Sequence, residues 1–334
     1  MKYLTYITKT RRQFNFRLLG AYTAILAFFV CLLSQGQSLH KKTIAITQIA
    51  QHPSLDLIRQ GIIDELKDHG YHKDKNLQIY YENAQGNITT ATQIAQKFIG
   101  LNPDVITAIT THSAQTIIKA NQANKIPVVF SAITDPLGAG LVTRLDKPGG
   151  FVTGIIDFPP IKQQLLLIKK IMPHIKRIGV VYNPGEINAV NQIQVFEKHA
   201  KALDITVVKS PASKTSEVFS ATKHLIHDVD AIYVANDNTI VSALEAILKV
   251  TLEHKIPLFA SDGESVARGA LFALANNQYE VGRDTGKQVI KILKGATAGD
   301  LSVLSSNKTE LYFNESSAKA CKLKIPLELS QQAQ

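Results

Sequence analysis

The stretch KIPVVFS, residues 125–131, recurs as KIPLFAS, residues 255–261, with identical residues at four of the seven positions. Two further pairs of segments repeat at similar distances along the chain: DVITAITTHS (104–113) with DAIYVANDNT (230–239), and KKTIAITQI (41–49) with KRIGVVYNP (176–184). The offsets lie between 126 and 135 residues, a spread that ordinary differences in loop length explain. The sequence therefore predicts two successive copies of one structural unit.

Each copy alternates short apolar runs with longer amphipathic runs. TIAIT (43–47) precedes residues 54–69, where apolar side chains recur at helical spacing. DVITAI (104–109) precedes a predicted helix over 113–123, and Asp135-Pro136 has the residue types of a helix cap and first turn. Strands that alternate with helices are typical of right-handed βαβ units. We therefore predict an α/β protein of two lobes with parallel sheets; one larger sheet is the alternative. Residues 149–160, rich in glycine and proline, are expected to cross between the copies.

The first 36 residues have a different character. A positive start without acids is followed by an apolar run over residues 18–33, and Ser34-Gln35-Gly36 then offers small residues at the two positions that a signal peptidase reads. Residues 1–36 are therefore predicted to be a secretory signal peptide. The alternative is an uncleaved membrane anchor, because sixteen apolar residues nearly suffice to span a bilayer. Cys31 is a poor lipidation candidate because bulky residues precede it.

Charge and cysteine content narrow the function classes. Removal of residues 1–36 takes the net charge from +10 to +5, with 32 basic and 27 acidic residues left. This mild excess forms no basic stripe with interleaved aromatic residues, so no nucleic acid partner is expected. Only Cys321 would remain in the exported chain, and a lone cysteine forms no internal disulfide.

The predicted fold indicates where a ligand should bind. In open parallel sheets, ligands sit beyond the carboxyl ends of the strands, so the strand-end turns of two facing lobes should line one cleft. The turns in question are TQIAQHPS (47–54), TTHSA (110–114), SAITDP (131–136), YNPGEIN (182–188), NDNT (236–239) and SDGES (261–265).

The turn within AITTHSAQTI, residues 108–117, is rich in hydroxyl groups and contains no glycine. If Ser113 is the N-cap, the amides of Ala114 and Gln115 are unpaired at the start of a helix, which attracts anions. With the Thr111 hydroxyl nearby, the expected guest is one carboxylate, since a diphosphate would require glycines and a lysine. Alternatively, Ser113 merely caps its own helix.

The second lobe offers groups of the opposite charge. Asp237 and Asp262 end predicted strands, and Glu186 follows an Asn-Pro-Gly turn. A buried ammonium group needs several acceptors, at least one of them ionised. Acceptors on one lobe and amide donors on the other suit a zwitterion that bridges both. Each acid taken alone is more readily a turn or cap residue, but the coincidence of all three at predicted cleft positions favours a binding role.

The sequence contains few signs of catalysis or of metal binding. The pairs His69/His72 and His224/His227 lack further ligands, so no metal and no cofactor are expected. No G-x-S-x-G, H-E-x-x-H or P-loop motif occurs. A hydrolase or isomerase on the same scaffold, a sugar receptor and a sensory domain stay as alternatives, although the absence of tryptophan disfavours sugar stacking.

Several motifs together resemble a known family. They are ITQIAQHPSLD, NAQGN, TATQIAQKF, THSAQ, IPVVFSAITDPLGAGLV, RIGVVYNPGE, VDAIYVANDNT and GRDTGKQ, spread over about residues 43–295. The chain resembles the substrate-binding proteins of ABC transporters of the tryptophan/tyrosine-transport type. The resemblance implies a type I periplasmic binding protein fold: two Rossmann-like lobes joined by three crossover strands. It also implies a non-catalytic, monomeric, extracytoplasmic receptor that delivers an amino acid, often aromatic, to a membrane permease.

The resemblance also implies lobe boundaries and ligand-binding residues. The N-terminal lobe would comprise 42–155 plus about 275–305, and the C-terminal lobe 156–274 plus about 306–330. Three groups would bind the ligand or line the cleft: Thr111, Ser113 and Ala114 for the α-carboxylate; Asp237, Asn238 and Asp262 for the α-amine; Gln48, Ser131, Thr134, Asp157, Asn183 and Glu186 along the cleft. The family often has proline where His112 stands, so the side chain bound is not fixed. Four aromatic residues, each equally able to be core or hinge residues, are candidate pocket walls: Phe158, Tyr182, Tyr233 and Tyr279.

Overall fold

The computed structural model describes residues 41–73 and 75–333. The predicted signal peptide or anchor, residues 1–36, lies outside the described residues. Within the described ranges, no helix is both long enough and apolar enough to cross a membrane.

Two separate six-stranded sheets form the framework. The first sheet is entirely parallel and has the order β11–β5–β4–β3–β1–β2. Its strands are β1 (Lys42–Gln48), β2 (Leu77–Asn83), β3 (Val105–Ile109), β4 (Val128–Ile133), β5 (Val152–Ile156) and β11 (Leu304–Ser305).

The second sheet repeats this arrangement in the order β12–β10–β9–β8–β6–β7. Only the edge strand β12 is antiparallel to its neighbour. The strands are β6 (Arg177–Tyr182), β7 (Thr206–Pro211), β8 (Ala231–Val234), β9 (Leu258–Ala260), β10 (Phe272–Asn276) and β12 (Thr309–Phe313). The prediction of two lobes with parallel sheets is therefore confirmed, and the alternative of one larger sheet is wrong.

Helices connect successive strands, as parallel pairing requires. In chain order they are α1 (Pro53–Asp68), α2 (Ile88–Leu101), α3 (Thr111–Ala120), α4 (Ile161–Ile171), α5 (Ile187–Lys201), α6 (Val218–Leu225), α7 (Asn238–Ser242), α8 (Leu244–His254), α9 (Gly263–Arg268), α10 (Gln278–Leu293), α11 (Glu315–Ala320) and α12 (Leu327–Gln332).

Each sheet carries its own apolar core. Residues Val105–Ile109 of β3 are buried on both faces, which explains their nearly continuous apolar sequence. Val129 and Phe259 occupy equivalent positions in the KIP repeats, as do Phe130 and Ala260, and all four are buried. The duplication seen in the sequence is thus a duplication of core-forming strands.

Within the described residues the chain passes between the sheets three times, after β5, after β10 and after β11. The second passage returns α10 to the first sheet, where it packs closely on α1. Glycine permits this approach, since a Cβ on Gly61 would lie 2.2 Å from the carbonyl oxygen of Tyr279 and one on Gly282 would lie 2.1 Å from that of Ile58. The residue numbers at which the lobes divide stay a prediction.

Two local expectations from the sequence are wrong. Helix α3 begins at Thr111 rather than at residue 113, and its N-cap is Thr110 rather than Ser113. No helix starts at Asp135-Pro136; the Asp135 carboxylate instead accepts a 2.8 Å hydrogen bond from the amide of Gly138 in a turn. Both sites have residue types that suit caps and turns alike, so the local sequence does not decide between them.

Candidate functional site

A cavity lies where the strand-end turns of the two sheets face each other. Small-molecule sites commonly form at such an edge, beyond the carboxyl ends of parallel strands. Six of the residues predicted from the sequence line it: Thr111, Thr134, Asp157, Asp237, Asn238 and Asp262. The prediction that both lobes contribute to one hollow therefore agrees with the geometry.

The wall from the first lobe contains two strained backbone positions. Thr110 has φ 79° and ψ 162°, and Ala132 has φ 54°, although neither is glycine. Both residues line the cavity, and they sit on adjacent strand ends, where the Thr110 amide donates a 3.0 Å hydrogen bond to the carbonyl of Ser131. Such conformations cost about 1–3 kcal/mol and cluster at functional sites, so the strained turns support a binding role for this wall.

The N-terminus of α3 can hold an anion. The amides of Thr111, His112 and Ser113 precede the first intrahelical hydrogen bond, which runs from Ala114 to the carbonyl of Thr110. The hydroxyls of Thr110 and Ser113 are buried without a hydrogen-bond partner among the described residues. Free amides and hydroxyls at a ten-residue helix suit a carboxylate.

Asp237 is an almost completely buried carboxylate of the opposite wall. One of its oxygens accepts a 2.6 Å hydrogen bond from the amide of Asn183, and the other accepts a 3.1 Å bond from the amide of Ile240 at the start of α7. Burial first, and then the charge of Glu186, raise the pKa of Asp237 well above its ordinary value. A cationic group in the cavity would relieve this penalty.

Asp262 joins the two walls. It caps α9 by accepting a 2.8 Å bond from the amide of Ser265, and it accepts a 3.0 Å bond from the hydroxyl of Ser54 on the other lobe. Two further pairs meet across the cleft: Asn191 donates to Asp135 at 3.1 Å, and Nε2 of His112 lies 3.2 Å from the carbonyl oxygen of Gly185. The lobes are therefore in a closed arrangement.

Asp157 lies at the first passage between the sheets. Its two oxygens accept hydrogen bonds of 2.8 Å from Asn276 and 3.0 Å from Gln278, which belong to the second passage. Burial raises the pKa of Asp157. The Asp157 carboxylate therefore belongs to the cavity lining and also ties together the first two passages between the lobes.

The cavity has a negative character. Three carboxylates, those of Asp157, Asp237 and Asp262, line it, and the lining includes no lysine or arginine in the described part of the chain. Nearby, burial and the charge of Asp262 raise the pKa of Glu264 to about 7. In a site of low dielectric constant this arrangement favours an ammonium group. Across the described ranges, no group of three His, Cys, Asp or Glu side chains is arranged to hold a metal ion.

Two of the other predicted residues support the cavity wall from outside its lining. The Glu186 carboxylate accepts hydrogen bonds from the backbone and side chains of Asn238 and Thr239, at 2.7–3.0 Å. Asn183 donates from its side chain to Thr239 at 2.9 Å. Both side chains border a wider polar hollow beside the cavity.

The other four predicted residues also lie outside the lining. Gln48 bonds to Ala50, Asp56 and Arg59, all close in sequence. Ser131 shares a 2.6 Å hydrogen bond with Thr285 of α10, and Ser113 and Ala114 are buried in the first turns of α3. None of the four aromatic candidates lines the cavity either, and Tyr233 stacks on Phe196 in the core of the second lobe.

His52 also lines the cavity. The sequence places its turn, residues 47–54, at the cleft but does not single out His52 as a ligand-binding residue. It precedes Pro53, the first residue of α1, and its side chain is 8% exposed. Neither ring nitrogen has a hydrogen-bond partner of normal geometry among the described residues. Burial lowers the pKa of His52, while the charge of Asp262 and the approach of Asn238 raise it to a lesser extent. The ring is therefore a neutral donor and acceptor that faces the cavity.

Two lobes, each built on a mostly parallel sheet, close on a polar cavity. This arrangement defines a two-domain small-molecule binding protein. The family model described as ABC transporter substrate binding protein matches residues 43–334. The chain therefore belongs to this family. A curated relative, the tyrosine-binding protein of Clostridioides difficile, is 40% identical over 280 residues, which is 84% of this chain and 81% of that protein.

Two solved structures that the chain resembles differ in their state. One is an ABC domain from Streptococcus pneumoniae in complex with L-Trp, 34% identical, with a TM-score of 0.85 over 88% of this chain and 98% of that chain. The other is a ligand-free, open substrate-binding protein from Clostridium difficile, also 34% identical, with a TM-score of 0.67 over 87% and 98%. At equal identity the L-Trp complex fits better, in agreement with the closed arrangement.

Proposed function

We propose that this protein is the extracytoplasmic receptor of an ABC importer and binds one free L-amino acid with an aromatic side chain in the cavity between its lobes. The observation that carries the proposal is the placement of buried carboxylates opposite the free amides of α3. A zwitterion matches both sets of groups at once, which a sugar or a nucleotide would not do.

The α-ammonium group would interact with the acidic wall. Asp237, Asn238 and Asp262 of the second lobe line the cavity, together with Asp157 at the first passage between the lobes. Because these carboxylates have no lysine or arginine beside them in the lining, an ammonium supplies the missing positive charge.

The α-carboxylate would bind at the start of α3. There the amides of Thr111, His112 and Ser113 precede the first intrahelical hydrogen bond, and the hydroxyl of Thr110, which lines the cavity, has no partner among the described residues. Since the two charged ends of the ligand attach to different lobes, its binding would hold them closed.

An aromatic side chain fits the remaining wall. Leu55, Ala132 and Val241 are the apolar lining residues, and each can pack against a ring. The related proteins named above bind tyrosine or are solved with L-Trp. We therefore favour Tyr, Trp or Phe as the ligand.

The closed receptor would deliver this ligand to a membrane permease. Proteins of this family act outside the cytoplasm, which agrees with the export signal predicted for residues 1–36. We propose a periplasmic monomer, with the signal either cleaved or kept as an anchor. The same family membership supports a receptor rather than a hydrolase or isomerase.

Calorimetric titration with each of the twenty L-amino acids tests the proposal. We expect one ligand per chain, micromolar or tighter affinity, and a preference for aromatic amino acids. Protein purified under native conditions should first be unfolded in denaturant, dialysed and refolded. This removes any amino acid carried through purification, which would otherwise reduce the heat of binding. Lack of saturable heat with all twenty would contradict the proposed function.

A further inference from the structure

The His52 ring is a polar group of the cavity lining to which the two charged ends of an amino acid assign no role. The carboxylates of the second lobe suit the ammonium, and the amides and hydroxyls of α3 suit the carboxylate. An imidazole that is 8% exposed, with both nitrogens unpartnered in the described structure, calls for a partner in the cavity. A buried polar group left without one costs about 1–3 kcal/mol.

The surroundings of His52 suit the side chain of the ligand. Leu55 follows one turn later on α1, and Val241 stands on the facing lobe, so two apolar residues line the cavity together with the imidazole. Burial keeps the imidazole neutral, with one nitrogen as donor and one as acceptor. A phenol hydroxyl also donates one hydrogen bond and accepts others, so it complements the ring in either tautomer.

We infer that His52 exchanges hydrogen bonds with a hydroxyl carried by the aromatic ring of the ligand, and that the receptor therefore selects L-tyrosine over L-phenylalanine. This inference rests on the proposed function and extends it to a residue that determines specificity. Phenylalanine would leave the imidazole unsatisfied in a closed cavity. Sites built to hydrogen-bond a substrate hydroxyl reject the analogue that lacks it for this reason.

The test compares dissociation constants for L-tyrosine and L-phenylalanine by calorimetry. We expect wild-type protein to bind L-tyrosine roughly 10- to 100-fold more tightly. His52→Leu replaces the imidazole by an apolar side chain of similar reach, which cannot hydrogen-bond to a hydroxyl. The two dissociation constants should then lie within about threefold of each other. His52→Gln keeps one donor and one acceptor and should retain part of the preference. His174→Leu, at an exposed turn, is the matched control and should behave like wild type.

A second measurement needs no variant. In wild-type protein labelled with ¹⁵N at its histidines, L-tyrosine should shift the ring nitrogens of one buried histidine, and L-phenylalanine should not. Equal wild-type affinities, an unchanged ratio in His52→Leu, or identical ¹⁵N shifts with both ligands would overturn the inference while the proposed function stands. Absence of binding by any amino acid would instead overturn the proposed function, and this inference with it.

Discussion

The hydroxyl of Ser54, at the start of α1, donates a 3.0 Å hydrogen bond to the carboxylate of Asp262, which caps α9 on the opposite lobe. One carboxylate thus fixes a helix terminus in its own lobe and holds the other lobe against it. Since Asp262 also lines the cavity, closure and ligand recognition share a residue.

Ser54→Ala removes this interlobe hydrogen bond without removing a residue from either core. The closed state should become less populated, and the apparent affinity for the ligand should fall roughly 3- to 10-fold. Calorimetry measures the affinity, and small-angle scattering measures the compaction caused by ligand. Ser330→Ala, at a half-buried serine of α12 outside the cavity lining, should change neither; wild-type affinity in Ser54→Ala would contradict a role of this bond in closure.

Asp237→Asn removes the charge of the most deeply buried carboxylate in the lining and keeps its shape. If that charge pairs with the α-ammonium, affinity should fall roughly 100-fold, because the buried cation loses its partner. Asparagine can still accept the hydrogen bond from Ile240, so α7 should persist. Circular dichroism checks the fold, and Asp204→Asn at an exposed loop is the control. Unchanged affinity would remove Asp237 from ammonium binding.

Thr110→Gly and Thr110→Ala separate backbone strain from hydroxyl chemistry. Both substitutions delete the hydroxyl and should weaken ligand binding. Glycine accepts φ 79° and ψ 162° readily, whereas alanine keeps the strain, so thermal unfolding should show the glycine variant more stable by about 1 kcal/mol. Equal stability of the two variants would mean that the turn is relaxed.

Glu264→Gln should change how stability depends on pH. Because burial and Asp262 raise the pKa of Glu264 to about 7, from an ordinary 4.5, the folded chain binds more protons than the unfolded chain between these two values. Its contribution to stability is therefore fully present below about pH 4.5 and is lost as the pH rises to about 7, by up to about 1.4 kcal/mol per pH unit. Glutamine abolishes this loss.

The measurement is chemical denaturation of ligand-free protein at pH 5 and pH 8. Relative to wild type, Glu264→Gln should gain stability at pH 8 compared with pH 5, whereas Glu253→Gln, at an exposed position on α8, should shift both values equally. A pH-independent difference between wild type and Glu264→Gln would contradict a raised pKa.

The sequence predicts the framework well because the repeats coincide with buried strands. KIPVVFS and KIPLFAS lead into β4 and β9, and Val129 and Phe259, at equivalent positions of the two repeats, are both buried. Helix starts are less predictable. Ser113 and Asp135 each have the right side chain for a cap, but only the path of the backbone assigns the cap of α3 to Thr110 and leaves Asp135 in a turn.

The sequence predicts which turns form the site, but it does not predict which of their side chains enter the cavity. Asp237 and Asp262 line the cavity because they follow strands, which the alternation of apolar runs reveals. Glu186 follows a strand too, yet Asn238 and Thr239 already fill its oxygens, which only the folded geometry reveals. His52 lies in the turn TQIAQHPS, residues 47–54, which the sequence places at the cleft, but nothing in the local sequence shows which side chain of that turn enters the cavity.

The return of α10 to α1, and of β11 to the edge of the first sheet, sets an order for assembly. During synthesis, ten strands leave the ribosome before these two elements, and β12 then completes the second sheet, so neither sheet is complete until the last strands have been made. Truncation after β10 would keep five of the six strands of each sheet but would uncover the α1 surface that α10 occupies. Expression of either lobe alone would therefore need a circularly permuted or spliced gene rather than a single stop codon.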